Sequence, residues 1–460
     1  MQVCHDPTPV FDDPNLVSCA GLAPVLTLAD RAGLGALVDE HLTVPGSVGA
    51  NARAKVLALV AGMIAGVDTI DGMGLLRHGG MRRLFTEIRA ASTLGTFLRA
   101  FTFGHVRQLD AISSRLLPAL SRRAPLLAGA DAVTYLDLDD TVKQTYGYLK
   151  QGAGYGYSRV KGLNALLAVI STPLAAPVIV GARLRKGATH SAGGAPKLLA
   201  EALKTAKAAG ATGLLSVRAD SAFYSHDVLA TILRHKARFS ITARQDPNVR
   251  RHISLIPETS WTAISYPNAI WDEETGELIS DAEVAEIEYT AFTSHRQGEQ
   301  ITGRLIVRRV KRLNPHSTAG DRHDPLFTTW RYHAVFTNSP LRLVEAEAAH
   351  RGHAIIEQVI SELKDGPLAH LPSGQFNANG AWLALACLAF NLTRAAGCLA
   401  STFHAKARAA TIRNQLINIP GRLARSARRL TLHLPQGWLW QPAFEQLDSR
   451  ARGAPRHATP

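Results

Sequence analysis

Three stretches of this chain carry residues whose types and spacing could do chemistry. From His350 to Lys364, a turn of about 100° per residue puts His350, His353, Glu357, Ser361 and Lys364 on one stripe of a single amphipathic helix, with Ile355, Ile356, Val359 and Leu363 elsewhere on it. A stripe with two imidazoles, a carboxylate and an ammonium can meet phosphate or metal, whereas a solvated face usually mixes Glu, Lys, Gln and Ala, so the stripe alone leaves both readings open. The other two stretches are short apolar runs that end in acid, Thr134-Tyr135-Leu136-Asp137-Leu138-Asp139-Asp140-Thr141 and Leu214-Leu215-Ser216-Val217-Arg218-Ala219-Asp220. Burial penalises the charge of an acid at the end of such a strand unless something positive compensates it. One aspartate from each run and the glutamate of the helix would make a hard oxygen donor set suited to Mg²⁺ or Mn²⁺, and two such ions serve phosphoryl transfer.

These residues resemble the motifs of DDE transposases from bacterial insertion sequences. The helix is similar to that family's Tyr-x-x-Arg-x-x-x-Glu-x-x-x-x-x-x-Lys signature, with Glu357 and Lys364 in place and with His350 and His353 where the signature has Tyr and Arg. Asp139-Asp140-Thr141 resembles the Asp-x-Thr motif of the first acid, and Arg218-Ala219-Asp220-Ser221-Ala222-Phe223-Tyr224 resembles the motif of the second. Leu136-Asp137-Leu138-Asp139-Asp140-Thr141, Gly152-Ala153 and Phe376-Asn377-Ala378-Asn379 resemble most the insertion-sequence family thirteen-eighty, and the likeness runs from about Thr134 to about Gly397.

The resemblance implies an α/β protein: an RNase H-like catalytic core with an inserted β-rich domain, preceded by an all-helical N-terminal DNA-binding region. It implies Asp139, Asp220 and Glu357 as catalytic residues and ligands of two Mg²⁺ or Mn²⁺ ions, with Lys364, His353 and His350 as DNA phosphate-binding residues. The partners would be double-stranded DNA, namely terminal inverted repeats and target DNA, bound by a homodimer in the bacterial cytoplasm and nucleoid. The activity would be strand cleavage and transfer in cut-and-paste transposition. Within the first motif, side-chain alternation leaves Asp137 as the rival of Asp139 and turns Asp140 to the other face.

Length and charge frame these motifs. With 460 residues the chain exceeds one typical core, and 46% hydrophobic residues support globular folding. A net charge of +14 points to a polyanionic partner, DNA or an anionic membrane surface. No apolar run is expected to approach the length of a spanning helix, and no basic segment followed by an apolar one opens the chain, so a cytoplasmic protein is expected. Cys4, Cys19, Cys387 and Cys398 form no CxxC pair, and the last two lie in an Ala- and Leu-rich segment that reads as core.

The elements that must position the acids follow from periodicity. Residues 1–21 read as an extended lead-in. The helical region 22–130 shows apolar residues at three- and four-residue spacing over Val25–Leu42, Ala52–Gly66, Met81–Ile88, Thr93–Phe101 and His105–Ser121. Ser92 to Arg107 is loosely similar to a helix-turn-helix, and an ordinary helical bundle fits as well. Over 131–244 the order is strand, strand, strand, helix, strand, helix, strand, with Gly152 to Tyr157 either a hairpin connection or a phosphate loop.

The segment 245–339 is read as the inserted β-rich domain, with strands over Ala282–Phe292, Ile301–Lys311 and Leu326–Thr337; its Trp261, Trp271 and Trp330 either stack on a flipped base or fill a small core. The catalytic helix returns in 340–400, backed by a buried helix over Ala381–Leu399 whose polar interruptions are Asn391 and Arg394. The C-terminal region 401–460 carries ten lysines and arginines against Glu445 and Asp448, more than half of the net +14, and reads as a solvated tail or a DNA contact. Two other function classes stay open: a non-catalytic DNA-binding protein, and a hydrolase binding zinc or iron through His350, His353 and Glu357.

Overall fold

Five longer helices precede the main sheet: α1 (Leu22–Arg31), α2 (Leu34–His41), α3 (Ala52–Ala65), α4 (Ala91–Arg99) and α5 (Phe103–Ser121). The run expected as one helix from Val25 to Leu42 divides at Gly33, whose φ of 85° only a glycine adopts freely. This computed structural model describes residues 8–146, 149–156, 159–264, 271–272, 277–278, 282–311, 330–427 and 429–453. Residues 1–7 of the lead-in with Cys4, Tyr157, the side chain of Trp271, the 326–329 part of an expected strand, Arg428 and Arg456 lie outside that description.

A mixed sheet forms the centre. Strands β1 (Val133–Gln144), β2 (Lys161–Ser171) and β3 (Val178–Lys186) run antiparallel to one another in sequence, and β4 (Leu214–Ala219) and β5 (Arg238–Thr242) add parallel to β1, giving the order 3-2-1-4-5. Parallel neighbours need crossovers, supplied by α6 (Ala195–Ala209) between β3 and β4 and α7 (His226–Arg234) between β4 and β5. The run Gly162 to Ser171 in β2 is buried throughout, as a strand covered on both faces must be.

The β-rich segment extends this sheet. Strand β8 (Trp330–Thr337) pairs antiparallel with β5, then come β7 (Ile301–Lys311) and β6 (Ala282–Ala291), and two short strands bring the sheet to ten among the described residues. The helix read as continuous from His350 to Lys364 is interrupted: α8 (Leu343–Arg351) ends in a 3₁₀ turn over Gly352–Ala354, and α9 (Ile355–Lys364) follows.

Behind the sheet lies α10 (Phe376–Ala400), buried along almost its whole length and packed against α1, α3, α4, α5 and β3. At 25 residues it is long and apolar enough to cross a membrane, which corrects the expectation that no such run exists; its burial inside the protein accounts for its composition. Its polar interruptions have partners. Asn391 Nδ2 donates to the Ile179 carbonyl at 2.7 Å and its Oδ1 accepts the Ile179 N–H at 2.9 Å, which pairs the backbone of that one residue of β3. Arg394 donates to the carbonyls of Ala405 and Ala407.

Over its described residues, the basic C-terminal region is folded. A hairpin of Gly421–Ser426 with Arg429–His433 takes Leu16–Val17 as a third strand, and α11 (Gln441–Arg452) packs on α1 and α10.

Candidate functional site

Strand β1 decides which acids can meet. Tyr135, Asp137, Asp139, Thr141 and Lys143 alternate onto one face, and Leu136, Leu138 and Asp140 onto the other. The last paired residues of the parallel strands are Leu138 and Ala219, so the next register step sets Asp139 beside Asp220. Asp220 also accepts the Ala222 N–H at 3.0 Å, fixing the turn that leaves β4.

Both carboxylates are held above their ordinary range. Burial lifts Asp139 to about 6; the Asp140 N–H and the nearby His353 oppose this, and the charges of Asp220 and Asp140 add to it. Burial likewise raises Asp220, with the Ala222 N–H and His353 pulling down and Asp140 pushing up. A neighbouring cation would relieve both causes at once, so the chemistry of this oxygen pair fits a hard divalent ion.

Helix α9 lies on this region of β1. Burial, and then Lys143, lowers the pKa of Lys364, which Asp139 partly offsets, so the lysine stands within electrostatic reach of Asp139. Glu357 is on the first turn of α9 and exposed. Among the described residues no three His, Cys, Asp or Glu side chains are near enough to one another to hold one metal ion. Asp139 and Asp220 are therefore brought together, Glu357 is not drawn into one cluster with them, and a His350, His353 and Glu357 cluster is not formed.

The histidines of the stripe face inward. His353 Nδ1 is 2.9 Å from Asp137 Oδ1. His350 has its Nδ1 3.0 Å from Ser240 Oγ and its Nε2 3.0 Å from Thr242 Oγ1, so both ring nitrogens are engaged by β5.

Sequence reasoning passed over Arg218. It is 4% exposed and pairs through two hydrogen bonds of 2.8 Å with Asp137, itself 0% exposed, while lying 4.1 Å from the Tyr135 ring centre. The signal was an arginine inside an apolar strand run, where a charge persists only if paired. On the opposite face Asp140 meets Arg185 and Asn164. In the extended sheet, Arg309 lies between Trp261 and Trp330, at 4.2 and 4.4 Å from their centres, so each of these rings has one face against a guanidinium.

Fold and site together define a mixed α/β protein with two carboxylates side by side where the parallel pairing of β1 and β4 ends, near a helix that carries a glutamate and a lysine. Residues 9–455 match the family described as transposase DDE domain group 1, and the chain belongs to that family. A comparison with curated proteins gives no match.

Proposed function

We propose that the protein is the DNA transposase of a bacterial insertion sequence, which binds the element's terminal inverted repeats and catalyses strand cleavage and strand transfer. The observation that carries this reading is the juxtaposition of Asp139 and Asp220 across β1 and β4, with both carboxylates raised by burial, in a chain of the DDE family. The strand order 3-2-1-4-5 supports an RNase H-like core, and the helices ahead of β1 together with the net charge of +14 support a DNA partner.

Asp139 and Asp220 would hold Mg²⁺ or Mn²⁺, with Glu357 as the third carboxylate. Two such ions would supply activation of the attacking water or 3′-hydroxyl and charge stabilisation for the leaving oxygen of the phosphodiester. The chain itself orients the two carboxylates through the strand register, and Lys364 supplies a cation near the phosphate to be cut. The charged surface would act on the homodimer's DNA by neutralising phosphates.

The test is a cleavage assay on DNA that carries the element's ends, with Mg²⁺, for the parent chain and for Asp220→Ala and Glu357→Ala. Loss of cleavage with end binding kept is the expected result, because metal ligands are removed and DNA-positioning groups are not. Mg²⁺-dependent cleavage by either variant at the parent's rate would sink the site assignment.

A further inference from the structure

Arg218 reaches two segments at once. Its Nε and Nη2 each donate to Asp137 at 2.8 Å, and its Nη1 donates to the Ala349 carbonyl at 2.6 Å, in the last turn of α8. A bidentate pair fixes the guanidinium plane, and a shift would break both bonds to a buried carboxylate, so the guanidinium resists displacement. Three residues past Ala349 is Gly352, where an added Cβ would come 2.6 Å from Arg218 Nη1. The φ of Gly352 is −59°, open to any residue, so it is the guanidinium and not the backbone that keeps this position a glycine. His353, in the same 3₁₀ turn, sits 2.9 Å from Asp137 Oδ1, so one carboxylate holds both groups that touch the turn.

The two halves of the broken helix are anchored on different parts of the sheet. Glu347 in α8 pairs with Arg308 of β7 at 3.2 Å, whereas α9 packs on β1. Whatever sets the joint between them sets where Glu357, three residues beyond it, stands relative to Asp139 and Asp220. We propose that Arg218 is a positioning residue for catalysis: through Ala349 and the space at Gly352 it fixes the joint Gly352–Ala354 and so the course along which α9 carries Glu357. Its catalytic consequence rests on the strand-cleavage reading; the joint itself does not.

The test uses the full chain with Gly352→Ala, Arg218→Lys and the two combined. Lysine keeps a charge opposite Asp137 but has no Nη1 to meet a Cβ at position 352. Hydrogen exchange at the amides of residues 352–357 reads the joint, and it should be faster in either single variant while α10 stays protected. Cleavage should fall about 100-fold with end binding unchanged, the cost of a displacement of about 1 Å at a catalytic group. The Mg²⁺ concentration for half-maximal cleavage should rise, a readout that a merely structural role does not move. Adding Gly352→Ala to Arg218→Lys should cost almost nothing further, because both changes disrupt the same joint. A Gly352→Ala protein with the parent's exchange and cleavage overturns the proposal, as does a double variant whose losses multiply. If the parent cuts no DNA, exchange still decides the joint, and the failure belongs to the cleavage reading alone.

Discussion

Asp137 and Asp139 stand two residues apart on one face of β1 and meet opposite surroundings. Asp137 is enclosed by the Arg218 guanidinium and His353, while Asp139 faces the carboxylate of Asp220. The same strand therefore presents one acid in a direct ion pair and one set beside another acid, its carboxyl raised by burial despite the Asp140 N–H and His353.

The first prediction separates the acids by Asp→Asn changes. Asp139→Asn should abolish cleavage and leave the metal-free melting temperature at or above the parent's, since it removes a buried charge beside another carboxylate. Asp137→Asn should cost about 3–5 kcal/mol of stability because it strands a buried arginine, and activity falls with the fold. Asp140→Asn should lower stability by about 1–3 kcal/mol, through the loss of the Arg185 ion pair, and keep most cleavage. An inactive Asp140→Asn beside an active Asp139→Asn would show the strand register to be off by one.

A second prediction concerns pH. Burial holds His350 down at about 3 against its ordinary 6.5, with the charges of His353 and Arg218 adding to it. Between these values the unfolded chain binds a proton that the folded chain refuses, so the contribution is complete above pH 6.5 and is lost as pH falls towards 3, by about 1.4 kcal/mol for each pH unit. Replacing the ring by His350→Gln should flatten the stability profile between pH 6.5 and 5. Parallel melting curves for the two proteins over that range would show that the ring is not held neutral.

The basic C-terminal surface gives a third. Removing the chain beyond Gly421 would also remove α11 and the partner of Leu16–Val17, so truncation confounds binding with folding. Lys406, Arg408, Arg425 and Arg429 are exposed, and changing these four to Ala should keep the melting temperature. If they neutralise phosphates, the slope of log K against log salt should become shallower by about 0.9 for each phosphate that is no longer neutralised. An unchanged slope assigns them to solvent.

Asn391 carries a fourth. Both halves of its amide serve the backbone of Ile179, so Asn391→Leu should leave two buried groups without partners. The expected loss is about 2–5 kcal/mol, read by denaturant unfolding. A variant as stable as the parent would mean that β3 finds another partner.

The acid pair was legible in two steps: alternation along β1 and an apolar run ending at Asp220 narrowed the acids to Asp137 or Asp139 beside Asp220, and the resemblance to the Asp-x-Thr motif chose Asp139. The break in the helix that carries Glu357 was not, although Gly352 lies in it, because the guanidinium packed against it is distant in sequence, the Arg218 to Ala349 hydrogen bond spanning 131 residues. Periodicity likewise gave the strands over Ala282–Phe292 and Ile301–Lys311 without their neighbours, so nothing local told that β8 would pair with β5 and prolong the central sheet. Asn391 and Arg394 stood out as polar residues in an apolar helix, while the carbonyls they serve lie on elements that the sequence does not join to them.

The pairing of Leu16–Val17 with Gly421–Arg422 bears on how the protein comes into being. Asp13 and Arg422, joined by an ion pair beside that strand, lie 409 residues apart. A ribosome makes the first strand long before its partner exists, so during synthesis that edge waits open for any other strand that passes. Loop closure over such a distance grows only slowly in entropic cost, but it cannot begin until the distant segment has emerged. A chain that stops before Gly421 therefore lacks the segment that Leu16–Val17 pairs with and leaves that backbone edge unpaired.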